Sequence, residues 1–243
     1  GRFLDSSGGI VTYSEETACY LAGSMLRTST GDQAVETLEI GDELITWDPT
    51  TSTEKVATIV WVGTQKHVAK PYLPDDEAGY PVRILKDSIA NGVPYKDMLV
   101  TAEHCLFFNG KFVPARMMVN GRSILFDRDL IQYDIYHIET EEHSVIMADG
   151  MLSESFLNTD NHKTFRQSNK VVSIRPDRYL TWDDAAAPLD VSRDFVEPLF
   201  REVEVRAIAS GIMQKYPHPK LIDEDNLHLI TEVGASIRPA REH

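Results

Sequence analysis

Short β-like runs separated by tight-turn signals fill the chain up to about residue 150. The clearest turn signal is Asn109-Gly110, which lies between Leu106-Phe107-Phe108 and Lys111-Phe112-Val113. Both central residues of a type I′ turn need positive φ, and Asn-Gly meets this requirement well, so the segment predicts a β-hairpin. Asn120-Gly121 repeats the signal. Many short strands joined by tight turns, with few helices, favour a compact, mainly β domain.

Alternating or β-branched runs predict further strands in the same part of the chain. They lie at residues 35–40, 43–47, 56–62, 81–85, 131–139 and 144–147. Gly41-Asp42 joins the first two runs and indicates another hairpin. Four aromatic residues in this region are predicted to belong to the core: Trp47, Trp61, Phe107 and Phe108.

Helical periodicity appears only after about residue 165. Pro198 fits the first position of a helix that runs to about Gln214, with Leu199, Val203 and Ala207 recurring at every fourth residue. Tyr216-Pro217 would end it. Residues 170–176 and 227–231 read as short strands. We therefore expect three parts: an upstream flanking segment 1–18, a β domain 19–165 and a partly helical C-terminal extension 166–243.

Composition excludes several classes of protein. The 243 residues are 42% hydrophobic and 26% charged, enough for a substantial core. The net charge of −14 opposes binding to nucleic acid, which is also anionic. No window approaches the roughly 18 apolar residues of a membrane span. The two cysteines are too few for a disulfide framework and lack the spacing of a zinc site, and they leave the compartment open.

Cys19 and the tetrad Thr101-Ala102-Glu103-His104 carry the chemistry that the sequence predicts. A thiol held against the carbonyl of the preceding residue can take over its acyl group, turning the Ala18-Cys19 amide into a thioester. Well-oriented intramolecular attack is worth effective molarities of about 10⁵ M or more. A hydroxyl or imidazole stabilises the oxyanion, and a histidine can protonate the departing nitrogen. Thr101 and His104, three positions apart, supply both groups.

Several blocks of this sequence resemble Hint domains, the self-processing module shared by Hedgehog proteins and inteins. The blocks are residues 19–24, 31–32 with 35–42, the Thr101-x-x-His104 tetrad and 136–150. Residues 97–100 and 154–159 are similar to the Hint-domain proteins of alphaproteobacteria. The resemblance covers roughly residues 19 to 160. It implies a horseshoe-like, pseudo-twofold all-β fold with the helical segment as an extension, and a secreted or cell-surface protein.

The resemblance also implies roles for individual residues. Cys19 matches the nucleophile that forms the thioester, and Thr101 and His104 match the pair that engages the scissile amide. His137 lies where inteins carry an Asp or similar polar residue on the penultimate strand, and His143 matches a histidine that many members of the family carry. These five are the predicted catalytic residues.

The chain departs from inteins at the end of the resemblance. Inteins end in His-Asn, whose Asn cyclises, whereas Glu154-Ser155 stands here and the chain continues. The expected function is therefore single-turnover self-cleavage at Ala18-Cys19, without full splicing. Its substrate is the chain's own upstream segment, and its acceptor is water, a thiol, an amine or another nucleophile. No cofactor is predicted. Metal binding is not predicted either, although convergence of Cys19 with His104 or His137 would leave room for an inhibitory zinc ion.

Each candidate residue also has an ordinary structural interpretation. Cys19 can be a buried hydrophobe, and Thr101 or His104 can stabilise a turn. His137 and His143 can be satisfied locally on their strands. Asp97 is expected to fix a turn, and Cys105 to belong to the core. A second hypothesis therefore stands beside self-cleavage: a catalytically silent structural or interaction module. A conventional cysteine hydrolase that acts on other molecules is third, because it needs an open cleft beside Cys19.

Overall fold

The protein is described by a computed structural model. It describes residues 18–158 and 180–216 in full and the backbone of five further strand segments at 2–4, 10–12, 166–167, 229–230 and 236–237. The strands in the first half are β1 Arg2–Leu4, β2 Ile10–Thr12, β3 Tyr20–Leu21, β4 Met25–Thr28, β5 Gly31–Ala34, β6 Glu43–Asp48, β7 Thr53–Val68, β8 Val82–Ile84 and β9 Met98–Val100. The later strands are β10 Cys105–Phe108, β11 Lys111–Pro114, β12 Ile124–Phe126, β13 Gln132–Thr140, β14 Val145–Ala148, β15 Met151–Glu154, β16 Arg166–Gln167, β17 Leu229–Ile230 and β18 Ser236–Ile237. The helix α1 is Arg193–Ala209, and short 3₁₀ helices lie at Val35–Thr37, Ala115–Met118 and Trp182–Asp184.

Fourteen of the described strands form one antiparallel sheet. The order along it is β11-β10-β15-β14-β4-β6-β7-β13-β3-β9-β8-β12, with β5 beside β4 and β16 beside β7. β1 pairs with β2 and β17 with β18 in separate two-stranded sheets. The prediction of a mainly β fold followed by a helix is confirmed.

The long strand β7 connects the two halves of this sheet. Its first part, from Thr53 to Thr58, pairs with β6, and its second part, from Ile59 to Val68, pairs with β13. Strands are usually about 5–6 residues long, so a strand of 16 residues is unusual. β7 thereby holds β13 next to β3, which begins directly after Cys19.

Two predicted aromatic core residues are buried and two are half-buried. Trp61 and Phe107 are buried, whereas Trp47 and Phe108 pack at the margin of the core. The largest hydrophobic cluster includes Leu26, Leu44, Ile59, Met98, Leu106, Met118, Ile124 and Ile138, all fully buried. A separate cluster contains Cys19, Leu21, Trp61, Ile135 and Phe156.

The hairpin predicted at Asn109-Gly110 is confirmed. β10 and β11 pair in register from Cys105 opposite Pro114 to Phe108 opposite Lys111. The two turn residues have φ of 48° and 85°, as a type I′ turn requires. At the second signal only Gly121 has positive φ, because the Asn120 side chain instead accepts hydrogen bonds from the backbone of residues 122–124.

The strand predicted at 35–40 is wrong. β5 ends at Ala34, and Val35–Thr37 form a 3₁₀ helix. Val35 and Leu38 are both buried. Residues three apart share a face in a 3₁₀ helix, whereas in a strand they would point to opposite faces. The apolar residues of 35–40 therefore follow the three-residue period of a 3₁₀ helix rather than the two-residue period of a strand.

The predicted limits of the helix are also wrong. α1 begins at Arg193, after Ser192, so Pro198 lies inside it rather than at its first position. It ends in a Schellman motif: Gly211 has φ of 72°, and the N–H of Ile212 donates to the carbonyl of Ala207. The predicted spacing is confirmed, since Val203 and Ala207 are buried and Leu199 packs beside them.

The helix packs on the β domain through that apolar face. Val196 and Val203 belong to the main hydrophobic cluster, together with Met118 of the second 3₁₀ helix.

In the described part of the chain, no helix has the length and apolarity needed to cross a membrane. The strand predicted at 170–176 lies outside the described residues, and only 229–230 of the one predicted at 227–231 are described, as β17. The predicted domain limits stay a prediction.

Candidate active site

Strand register brings three of the five predicted residues together. β3 lies between β13 and β9, with Tyr20 opposite both Tyr136 and Val100. In antiparallel pairs, the residue before Tyr20 meets the residue after each partner. Cys19 therefore lies between His137 and Thr101, which are 36 positions apart in the sequence.

Thr101 contacts the nitrogen of the predicted scissile bond. The backbone N–H of Cys19 donates to Thr101 Oγ1 at 2.9 Å, and the Thr101 backbone N–H donates to the Cys19 carbonyl at 3.0 Å. The Thr101 hydroxyl also lies 3.4 Å from that carbonyl oxygen, in position to donate to it. Thr101 thus holds both the backbone nitrogen and the backbone carbonyl of Cys19.

His137 contacts the thiol of Cys19. Its Nε2 lies 3.2 Å from Sγ, and both residues are buried. The imidazole packs against Phe156, with ring centroids 4.1 Å apart, and lies 6.3 Å from Trp61. Exclusion of water strengthens the electrostatic coupling of such a pair. A neutral imidazole Nε2 in this position can accept the thiol proton.

His104 lies on the same turn as Thr101 but makes a different set of contacts. Its backbone N–H donates to the Thr101 carbonyl at 3.1 Å, and its ring meets that of Tyr20 edge-on at 4.3 Å. Neither ring nitrogen has a hydrogen-bond partner among the described residues, although the side chain is buried. Burial lowers the pKa of His104 to about 4, while the nearby Glu154 opposes this shift and His143 adds to it. At neutral pH the ring is neutral.

His143 has both ring nitrogens occupied. Its Nδ1 accepts a hydrogen bond from the backbone N–H of Ala186 at 3.1 Å, so in the neutral ring the proton is on Nε2. Nε2 lies 3.0 Å from the Ser155 carbonyl, to which it donates. His143 therefore joins the C-terminal extension to the strand end at 154–155, and its contacts are structural.

Glu154 and Ser155, which the sequence pattern matches to the His-Asn end of inteins, are both buried. Glu154 Oε1 accepts from the backbone N–H of Cys105 at 2.7 Å, and Oε2 lies 3.7 Å from His143 Nε2. The hydroxyl of Ser155 accepts from the Ser144 N–H at 2.9 Å. These bonds fix the strand end in place.

Sequence reasoning missed Tyr20 as part of this network. Its hydroxyl lies 2.6 Å from Ser153 Oγ and donates to the Glu154 carbonyl at 2.9 Å. The side chain thereby joins the Cys19 segment to β15, and burial raises the pKa of the phenol far above its usual range. Its position directly after Cys19 was the one available signal.

Two secondary predictions are consistent with the structure. Cys105 is buried, and burial, with Glu154 nearby, raises the pKa of its thiol well above the usual range, which suits a core residue rather than a second nucleophile. Asp97 Oδ1 accepts from the Lys86 N–H at 2.9 Å and so fixes a loop.

No group of three or more His, Cys, Asp or Glu in the described part of the chain could hold a metal ion.

Comparison with known proteins gives one family. The sequence model of the Hint domain matches residues 18–160, more than half of the chain. The chain is similar to a bacterial intein-like domain from Clostridium thermocellum, with 15% identity and a TM-score of 0.43 over 58% of this chain and 99% of that one. It is also similar to a DnaB intein from Synechocystis sp. PCC 6803, with 9% identity and a TM-score of 0.42 over 57% and 99%. No curated protein sequence matches it significantly. The match to the family model, which begins at the residue before Cys19, shows that the chain belongs to the Hint domain family.

Proposed function

We propose that this Hint domain cleaves its own Ala18-Cys19 bond by an N-to-S acyl shift. One observation carries the proposal: the backbone nitrogen and the thiol of Cys19 are held by two different partners, Thr101 and His137. An ordinary buried cysteine needs an acceptor for its backbone N–H but no imidazole beside its thiol. A site that breaks the bond before Cys19 needs both, since one group must leave as the other attacks.

The first step forms the bond between the Cys19 sulfur and the carbonyl carbon of Ala18. His137 Nε2 takes the proton of the Cys19 thiol, and Sγ attacks the carbonyl carbon of Ala18 to give a tetrahedral intermediate. The thiol already lies at hydrogen-bond distance from the imidazole, so no rearrangement of that pair is required.

The second step breaks the amide. The C–N bond between Ala18 and Cys19 breaks as the nitrogen receives a proton, which leaves Ala18 bound to sulfur and Cys19 with a free amine. Thr101 Oγ1 orients the nitrogen, and His104, on the same turn, supplies the proton. Only the small fraction of His104 that is protonated at neutral pH is competent, because its pKa is low. Slow cleavage is expected near pH 7.

The third step transfers the upstream segment to water or another small nucleophile. Asn cyclisation is not part of the proposal, because Ser155 matches the intein Asn in the sequence and its hydroxyl accepts from the Ser144 N–H. The burial of Cys19, which is 0% exposed, also opposes a hydrolase that admits other molecules to this thiol.

A catalytically silent module is the second candidate. The observation that favours it is the burial of His104 in its neutral form with unused ring nitrogens in the described region. It predicts that replacing Cys19 has no chemical consequence.

Incubation of the full chain with hydroxylamine or a thiol separates the two candidates. Wild type should release residues 1–18, as followed by intact mass, and Cys19→Ala should not. Cys105→Ala is the matched control, since it removes the other buried cysteine and should cleave like wild type. An unchanged wild-type mass after several days with strong nucleophile would refute self-cleavage.

A further inference from the structure

We propose that Glu154 is a positioning residue for cleavage, and that its carboxylate supplies the countercharge that lets the buried His104 take up a proton. The inference rests on the proposed function, because it assigns His104 the role of proton donor. Glu154 stands where the intein pattern has its penultimate histidine, so its role here must be derived from its own contacts.

Glu154 is held against the His104 turn from two directions. Its Oε1 accepts from the N–H of Cys105, the residue directly after His104, at 2.7 Å. Its backbone carbonyl accepts from the hydroxyl of Tyr20, whose ring packs edge-on against His104. The carboxylate is buried and cannot turn to solvent. A buried charge fixed in this way acts on its neighbours with little screening.

Of the two histidines near Glu154, only His104 is able to accept a proton without losing a bond. His143 Nδ1 already accepts from the Ala186 N–H, and protonation there would break that bond. The ring nitrogens of His104 have no hydrogen-bond partner among the described groups. The bond to Ala186, in the C-terminal extension, thereby fixes the ring of His143, whereas the ring of His104 has free positions for a proton among the described groups.

The other groups around His104 do not supply this charge. The Tyr20 phenol is neutral at all relevant pH, because burial raises its pKa. His143 opposes protonation of His104, whereas Glu154 favours it. Glu103, the residue before His104, forms an ion pair with the Arg116 guanidinium at 2.6 Å, which compensates the charge of its carboxylate.

Glu154→Gln tests the proposal, with Glu103→Gln as matched control. Glutamine keeps an oxygen for the Cys105 N–H and removes only the charge. An opposite charge at close range shifts a pKa by about 1–3 units. The pKa of His104 in wild type is about 4, so about a quarter of the molecules carry the proton on this ring at pH 4.5. If the substitution lowers this pKa by about one unit, about one molecule in thirty carries it. Nuclear magnetic resonance of the labelled imidazole measures this fraction in the folded protein, with Cys19→Ala present to prevent cleavage.

The expected result is a roughly eightfold lower protonated fraction at pH 4.5 in Glu154→Gln, and about tenfold slower release of residues 1–18 near neutral pH when Cys19 is present. Glu103→Gln should match wild type in both. Equal titration of His104 in wild type and Glu154→Gln would overturn the proposal. If Glu154→Gln does not fold, the carbon-13 resonance of the Glu154 carboxyl is measured in the Cys19→Ala protein instead. An uncharged Glu154 side chain at pH 6 would also overturn the proposal. A wild type that releases nothing refutes the proposed function, while the titration still decides whether the two side chains are coupled.

Discussion

Loss of the His104 imidazole should make the stability of the fold less sensitive to acid. The perturbation is His104→Gln, made in the Cys19→Ala background so that cleavage does not interfere. The folded-state pKa of His104 is lowered to about 4 from its usual value of 6.5. Between these two values the unfolded chain binds a proton that the folded chain does not. Stability contributed by the neutral ring is therefore fully present above pH 6.5 and is lost as the pH falls towards 4.

The size of the effect follows from the two pKa values. Between pH 7.5 and pH 5, linkage predicts that His104 alone lowers the free energy of unfolding by about 2 kcal/mol. Urea unfolding at both pH values gives this loss for each protein. The comparison uses the difference between the two pH values within each variant, so any destabilisation by the substitution that is independent of pH cancels.

The result that refutes this reasoning is a pH-dependent loss that is the same in both proteins. It would mean that His104 is protonated or solvated in the folded state to the same extent as in the unfolded chain. A loss that is smaller by about 2 kcal/mol in His104→Gln would support burial of a neutral imidazole.

Three further predictions concern the scaffold. Gly110→Ala, at φ of 85°, should lower the free energy of unfolding by about 1 kcal/mol in urea titrations, while Lys111→Ala beside it should cost less. Phe112→Ala should cost about 3–5 kcal/mol, because the ring is fully buried; a cost below 1 kcal/mol would show that the site collapses freely. The Cys105 thiol should react with iodoacetamide at neutral pH at least tenfold more slowly in the folded protein than in urea, because burial raises its pKa; equal rates would contradict its burial.

The parts of the fold that local chemistry determines could be predicted from the sequence. The Asn109-Gly110 hairpin needs only two residues that adopt positive φ. The 3₁₀ helix at Val35–Thr37 was missed, since a short apolar run fits more than one period. The helix start was missed because proline is most common in the first turn, whereas Pro198 lies inside a helix that begins at Arg193 and packs Val196 against the core.

The site was predictable only in part, because many of its contacts join residues that are far apart in the sequence. The chemistry of the residues predicts a role for Thr101 beside Cys19, and the resemblance adds His137. Strand register explains why these three residues meet. The contacts of Tyr20 with Ser153 and Glu154 join positions more than 130 residues apart. No local pattern encodes such contacts. The resemblance predicts a catalytic role for His143, whereas its bond to Ala186 depends on the path of the C-terminal extension, which no local pattern reveals.

The central claim is that the bond before Cys19 passes through a thioester, and the chemical identity of the new ends tests it most directly. Wild-type protein is treated with hydroxylamine and both fragments are analysed by mass spectrometry. The account predicts a released segment that ends at Ala18 as a hydroxamate and a remainder that begins with the free amine of Cys19, with neither product from Cys19→Ala. Cleavage at another bond, or the same fragments from Cys19→Ala, would contradict it.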